Sequence, residues 1–145
     1  MAHVYGDDRD RVLDVPATLP AVLHRAAEHY ADWEFLIEGD ERITFAAAER
    51  ETAARAKGLL ALGLGKGARV GLMMPNSSNW ILNALAIGRM GALTVTLSSL
   101  YQPREIAWAL RHNDIDTLII AASYLGHDFL DRLEKALPGL ASQKA

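Results

Sequence analysis

Residue type and spacing first suggest chemistry at Gly63-Leu64-Gly65-Lys66-Gly67, because glycines beside a lysine can cradle phosphate with backbone N–H groups. That chemistry needs the glycines to follow a strand and open a helix, whose N-terminus supplies free N–H groups and the positive dipole end. Here they follow a helix-patterned segment and open a strand-patterned one. The expectation is therefore helix termination. His24 and His29 stand five residues apart, whereas a helical metal pair needs i, i+4 spacing, so both read as surface or rim histidines. Ser77 and Ser78, ahead of an apolar helix, have side-chain oxygens that suit helix caps better than an anion site. Trp108 reads as packing rather than as a stacking platform.

The elements that must position these residues centre on Ala68 to Tyr101, a strand, turn, helix, turn and strand. Arg69 to Met74 is an apolar run stopped by Pro75, which cannot donate to a sheet ladder. Asn79 to Met90 is apolar on nearly every face, with Asn83 and Arg89 as the polar exceptions, so this helix must be covered on most sides. Gly91 fits its C-terminus, and Ala92 to Leu97 forms the second strand. Such a pair predicts a right-handed βαβ unit with parallel strands.

Around this unit the chain reads in order. Thr18 caps a helix running to about Tyr30, with Leu19, Val22, Leu23, Ala26 and Ala27 on one stripe. Phe35–Glu38 and Arg42–Thr44 form a hairpin about Gly39-Asp40. Thr44 caps an amphipathic helix that buries Phe45, Ala48, Thr52, Ala56 and Leu59 and turns Glu49, Arg50, Arg55 and Lys57 to water. Glu51 and Arg55 form an i, i+4 pair. Pro103 opens a further helix with Ile106, Ala109 and Leu110 inward, Thr117–Ala122 is a third strand, and Asp128 starts a last helix that stops at Pro138-Gly139. Residues 1–17 read as a polar lead-in with Asp7, Asp8, Arg9, Asp10 and Arg11 in water. Residues 18–138 read as one α/β subdomain, and 139–145 as a tail without an evident partner. The predicted fold is α/β: an open, mainly parallel sheet with helices on both faces, preceded by a helix and a small hairpin.

In open α/β sheets ligands bind beyond the carboxyl ends of the strands. Those ends carry Pro75-Asn76-Ser77, Ser98-Ser99-Leu100-Tyr101 and Ser123-Tyr124. They offer no Ser-His-Asp arrangement with an evident base, no carboxylate pair and no metal-binding cluster. A dinucleotide site would want GxGxxG where MPNSSN stands. No residue is assigned a catalytic, cofactor-binding or metal-binding role. The net charge of −3 argues against non-specific nucleic-acid binding, and the absence of cysteine leaves no thiolate chemistry. No apolar run approaches the roughly 20 residues of a membrane span, and the N-terminus lacks the apolar stretch of a signal peptide. The expectation is a soluble, cytoplasmic protein.

Four stretches, in order over about residues 18 to 137, carry a resemblance. Ile43-Thr44-Phe45 ahead of an Ala-rich helix is the first, and Gly67 to Ser77 (GARVGLMMPNS) is similar to a "GDRVAL…PNS" strand. Ala86 to Ala92 (AIGRMGA) is similar to an "A…KAGA" helix end, and Tyr101 to Ile106 followed by Leu110 resembles an "…L.Y.L" segment. The chain resembles the N-terminal portion of the adenylate-forming, AMP-binding ligases, and within them the fatty-acyl-CoA synthetases. Leu93-Thr94-Val95-Thr96-Leu97-Ser98 stands where amino-acid-activating members read "AYVPID", which leans toward acyl- or aryl-CoA ligases.

The resemblance implies a parent enzyme that forms an acyl-adenylate from ATP and a carboxylic acid, then passes the acyl group to CoA, with Mg²⁺ as a further requirement. The family's phosphate loop, adenine and ribose contacts and C-terminal lysine lie downstream of this region, so its catalytic residues have no positions here. The chain is expected to be an inactive N-terminal fragment whose partner is the rest of the same polypeptide, supplying scaffold and a wall of the acyl or CoA passage. The rival expectation is a stand-alone, non-catalytic α/β binding module. A complete module should protect its sheet edges, whereas a fragment should leave a long apolar edge bare.

Overall fold

A computed structural model describes residues 16–142. The predicted lead-in, including Asp7 to Arg11, lies outside them except for its last two residues, as do residues 143–145. The element order is α1 (Leu19–His29), β1 (Glu34–Glu38), β2 (Glu41–Thr44), α2 (Phe45–Ala61), β3 (Arg69–Met73), α3 (Ser78–Arg89) and β4 (Leu93–Thr96). There follow α4 (Pro103–His112), β5 (Thr117–Ile120), β6 (Ser123–Tyr124), β7 (His127–Asp128), α5 (Phe129–Ala136) and a 3₁₀ turn at Leu140–Ser142. No helix among the described residues is long and apolar enough to cross a membrane.

The three apolar runs form one parallel sheet in the order β4-β3-β5, as predicted. Val70 lies opposite both Thr94 and Thr117. Each strand is shorter than its apolar run. Met74 drops out because Pro75 has no N–H to extend the ladder, while Leu97 and Ala121 still donate to β3 from just beyond their strands, at 3.0 and 3.1 Å. Side chains alternate across β3. Met73 belongs to a core with Leu97, Ile106, Ala109, Phe129 and Leu133, so α4 and α5 cover that face. Val70 and Leu72, both fully buried, point to the opposite face, where α3 lies.

Gly71 shows how closely the first face is packed. A Cβ there would sit 2.9 Å from Leu118 Cδ1 and 3.0 Å from Ile115 Cγ2. At Gly91 the need is conformational: φ is +71° where α3 ends and the chain turns into β4.

A second core lies farther from the sheet, where Leu23, Ile43, Ala48 and Leu82 bring α1, the β1–β2 hairpin, α2 and α3 together. Of α3's twelve residues only Asn79 is exposed, which fits its apolar circumference. Its polar exceptions are answered from α2. Arg55 donates to Asn83 Oδ1 at 3.1 Å and Asn79 Oδ1 at 2.8 Å, and Arg89 pairs with Glu49. This corrects the assignment of Glu49 and Arg55 to water; they join two helices. The Glu51–Arg55 pair is present at 3.4 Å.

Three further expectations are overturned. Leu19 and Val22 are exposed, because only Leu23 of the α1 stripe reaches the core. Trp108 is 57% exposed and stacks on His112, one helical turn away on α4, at 4.4 Å between ring centroids, so it packs on a neighbour rather than in the core. The tail is anchored as far as it is described, since the Glu134 carboxylate accepts from Gly139 N and Ala141 N at 2.7 and 2.9 Å. The β6–β7 hairpin was not anticipated; two-residue strands carry no periodicity.

Two substitutions test this packing. Leu82→Ala, at a side chain 1% exposed, should cost about 2–5 kcal/mol, while Leu93→Ala on the exposed edge strand should change stability by less than about 0.5 kcal/mol. Equal shifts in urea midpoint for the two would contradict the burial order. Gly71→Ala should cost about 1–3 kcal/mol by overpacking, visible as a lowered midpoint with an unchanged urea m-value.

Candidate functional site

The three strand ends singled out in the sequence meet at one groove. It has a volume of about 550 Å³ and is lined by Met74, Pro75 and Asn76 after β3, Thr96 to Ser99 and Tyr101 at the end of β4, Trp80 of α3, and Tyr124 of β6. This is the carboxyl end of the parallel sheet, where open α/β folds bind ligands.

Each wall has its own support. On the β3 side, Ser77 Oγ donates to Pro75 O at 3.2 Å and accepts from Trp80 N at 3.2 Å, capping α3 as expected. The next N–H, of Ser78, donates to the Glu38 carboxylate at 2.6 Å. The anion position at this helix start is therefore filled from within the fold, by a hairpin residue that sequence reasoning passed over. On the β4 side, Tyr101 N donates to Ser98 O and Leu100 N to Ser98 Oγ, both at 3.2 Å. Arg132 of α5 donates to the carbonyls of Ser99 and Tyr101 at 3.1 and 3.4 Å. The third wall is the β6–β7 hairpin, whose turn residues Leu125 and Gly126 both have positive φ, at 49° and 75°. That conformation twists a two-residue turn to suit its strands and holds Tyr124 at the groove.

Among the described residues the lining consists of hydroxyls, one carboxamide, backbone and apolar surface, with no Asp, Glu, His, Lys or Arg. Among the described lining residues no base stands beside Ser98 or Ser99. Among the described residues no group of three His, Asp or Glu side chains could hold a metal ion. The donor set suits a neutral ligand rich in amide and hydroxyl groups.

The other candidates are dispersed. Gly63 to Gly67 lies between α2 and β3, at the amino end of the sheet and away from the groove. His24 contacts Glu28 and Glu49, and His29 Nδ1 lies 3.0 Å from Arg25 O. Both are exposed rim residues. Arg132 shares an amphipathic helix with Lys135, Asp131 and Glu134, so nothing in the sequence singles it out; its carbonyl partners lie more than thirty residues away.

The model for the AMP-binding enzyme family matches residues 23–144. The chain is 34% identical over 137 residues to the medium-chain acyl-CoA ligase ACSF2, mitochondrial, of Bos taurus, covering 88% of this chain and 22% of that protein. It is 33% identical over 140 residues to the acyl-CoA ligase sidI of Aspergillus fumigatus, covering 95% and 23% respectively. Among solved structures, the anthranilate CoA ligase AuaEII in complex with anthranoyl-AMP matches with a TM-score of 0.76 and 26% identity, over 90% of this chain and 25% of that one. The chain spans about a quarter of the length of the curated relatives it matches. The groove thus sits in a chain that belongs to the AMP-binding enzyme family and corresponds to the N-terminal portion of an adenylate-forming ligase.

Proposed function

We propose that this chain serves as scaffold and as one wall of the CoA passage in an acyl-CoA synthetase, and that it is inactive by itself. The reaction of the whole enzyme would join a carboxylic acid, in our reading a fatty acid, to ATP's α-phosphate with loss of pyrophosphate. The CoA thiol would then take the acyl group and release AMP. ATP and Mg²⁺ would be held by the rest of the polypeptide. The observation that carries the reading is the groove: a wall of neutral hydroxyl, amide and aromatic groups suits the amide-bearing pantetheine arm of CoA better than an alkyl chain or a triphosphate. Asn76, Ser98, Ser99, Tyr101 and Tyr124 would line that arm.

The bare sheet edges support a role as part of a larger body. Among the described residues, β4 and β5 pair only with β3, and neither carries a lysine, a proline or a bulge to protect its outer edge. Each edge is four residues long rather than the single long edge expected of a fragment. We assign residues 18–138 to the α/β subdomain and 139–145 to a tail. A cytoplasmic location belongs to the same proposal, although the bovine relative's name makes that protein mitochondrial; cell fractionation decides it.

Calorimetry of the 145-residue chain with ATP·Mg, and pyrophosphate exchange with a panel of fatty acids, should both be blank, because no cation among the described residues lines the groove to stabilise a departing pyrophosphate. A ligase containing this segment should show exchange with at least one acid. Micromolar ATP binding by the short chain, or an inert longer enzyme, would overturn the proposal and favour a stand-alone binding module. In the longer enzyme Ser98→Trp, which fills the groove, should raise the KM for CoA by about tenfold or more while pyrophosphate exchange, a step that needs no CoA, continues. An unchanged KM for CoA would remove the groove from the passage.

A further inference from the structure

The wall formed by Ser98 to Tyr101 is held in part by Tyr101, which packs against the core of Met73, Leu97, Ile106 and Phe129, and by Gln102 Nε2, which donates to Leu100 O at 3.3 Å. Its turn bond from Tyr101 N to Ser98 O and its Ser98 Oγ contact with Leu100 N shape the segment without tying it to another element. A further tie comes from α5, where Arg132 Nη1 donates to both the Ser99 and the Tyr101 carbonyl. The guanidinium is itself fixed, because it lies over the ring of Phe129, 5.6 Å from the centroid, and Phe129 is fully buried. Phe129 and Arg132 are three residues apart on one helix face, so α5 delivers both to the same spot. A planar guanidinium can stack on a ring and bridge two carbonyls at once, whereas a lysine ammonium offers a single point charge.

We infer that Arg132 is a positioning residue of the groove, fixing Ser98–Tyr101 in the shape that receives the ligand. The inference rests on the reading of the groove as a CoA passage. It assigns Arg132 no contact with the ligand. The residue acts through the backbone of Ser99 and Tyr101, whose side chains line the wall.

Two measurements test this, with Arg132→Ala and the charge-conserving Arg132→Lys side by side. In the 145-residue chain, Arg132→Ala should speed hydrogen exchange at Leu100 to Gln102 by about tenfold, the loss expected for charge-assisted bonds. Exchange at Val70 to Leu72 should stay as it was, and Arg132→Lys should fall between wild type and alanine. In a ligase containing this segment, Arg132→Ala should raise the KM for CoA by about tenfold and leave the KM values for ATP and acid in place. Should alanine fail to fold, the lysine variant carries both readouts. Unchanged exchange in both variants overturns the inference. So does an unchanged KM for CoA in an enzyme that Ser98→Trp does impair. If Ser98→Trp is also without effect, the groove reading falls and the proposed role of Arg132 falls with it.

Discussion

The β3 strand, Arg69 to Met73, has neighbours on four sides, and the rest of the structure follows from that enclosure. Parallel strands β4 and β5 take up its hydrogen bonds on both edges, and helices cover both faces. A strand so enclosed must be apolar at every inward position and small wherever a neighbour approaches closely. Val70, Leu72 and Met73 are fully buried, and Gly71 leaves the space that Leu118 and Ile115 fill. Parallel pairing also requires crossover connections, so α3 and α4 are consequences of the sheet rather than separate units. The same geometry sends the chain out of β3, β4 and β5 at one end, where the groove forms.

Covering α3 posed a different problem. Its outer surface meets α2 across an interface that contains charge, and the fold resolves this by pairing. Glu49 meets Arg89, Arg55 is shared between Asn79 and Asn83, and Glu38 reaches the first turn of α3 from the hairpin. Among the described residues no buried side-chain nitrogen or oxygen lacks a partner. Losing one member of such a set leaves its partner desolvated and unsatisfied, which is costlier than the pair itself is favourable. These contacts therefore fix the seating of α3 against α2 more than they add to stability. The seating of α3 in turn sets Trp80 at the groove.

The chain belongs to the AMP-binding enzyme family, and among the described residues the groove lining carries no charged side chain. A groove of neutral groups can bind and orient but cannot drive the departure of pyrophosphate. Under the function proposed above, labour would be divided along a longer polypeptide: this segment would contribute a carboxyl-end surface, and the reactive groups would come from elsewhere. The open edges of β4 and β5 are consistent with that division.

The sequence by itself determined the local order: which runs are strands, which helix is covered on most sides, where Thr18, Thr44, Ser77 and Asp128 cap, and why Gly63 to Gly67 ends a helix instead of holding phosphate. Those features depend on residues within a few positions of one another, so spacing and propensity suffice to read them. Tertiary structure decided the rest. Glu49 and Arg55 look like solvent-facing charges because their partners are 24 to 40 residues away in the chain. Trp108 reads as packing, yet among the described residues it stays 57% exposed and stacks on His112 of its own helix. The groove joins residues 74 to 124, and Arg132 reaches back across more than thirty residues to hold it. Sheet order brings such residues together, and no period in the sequence records which strand will lie beside which.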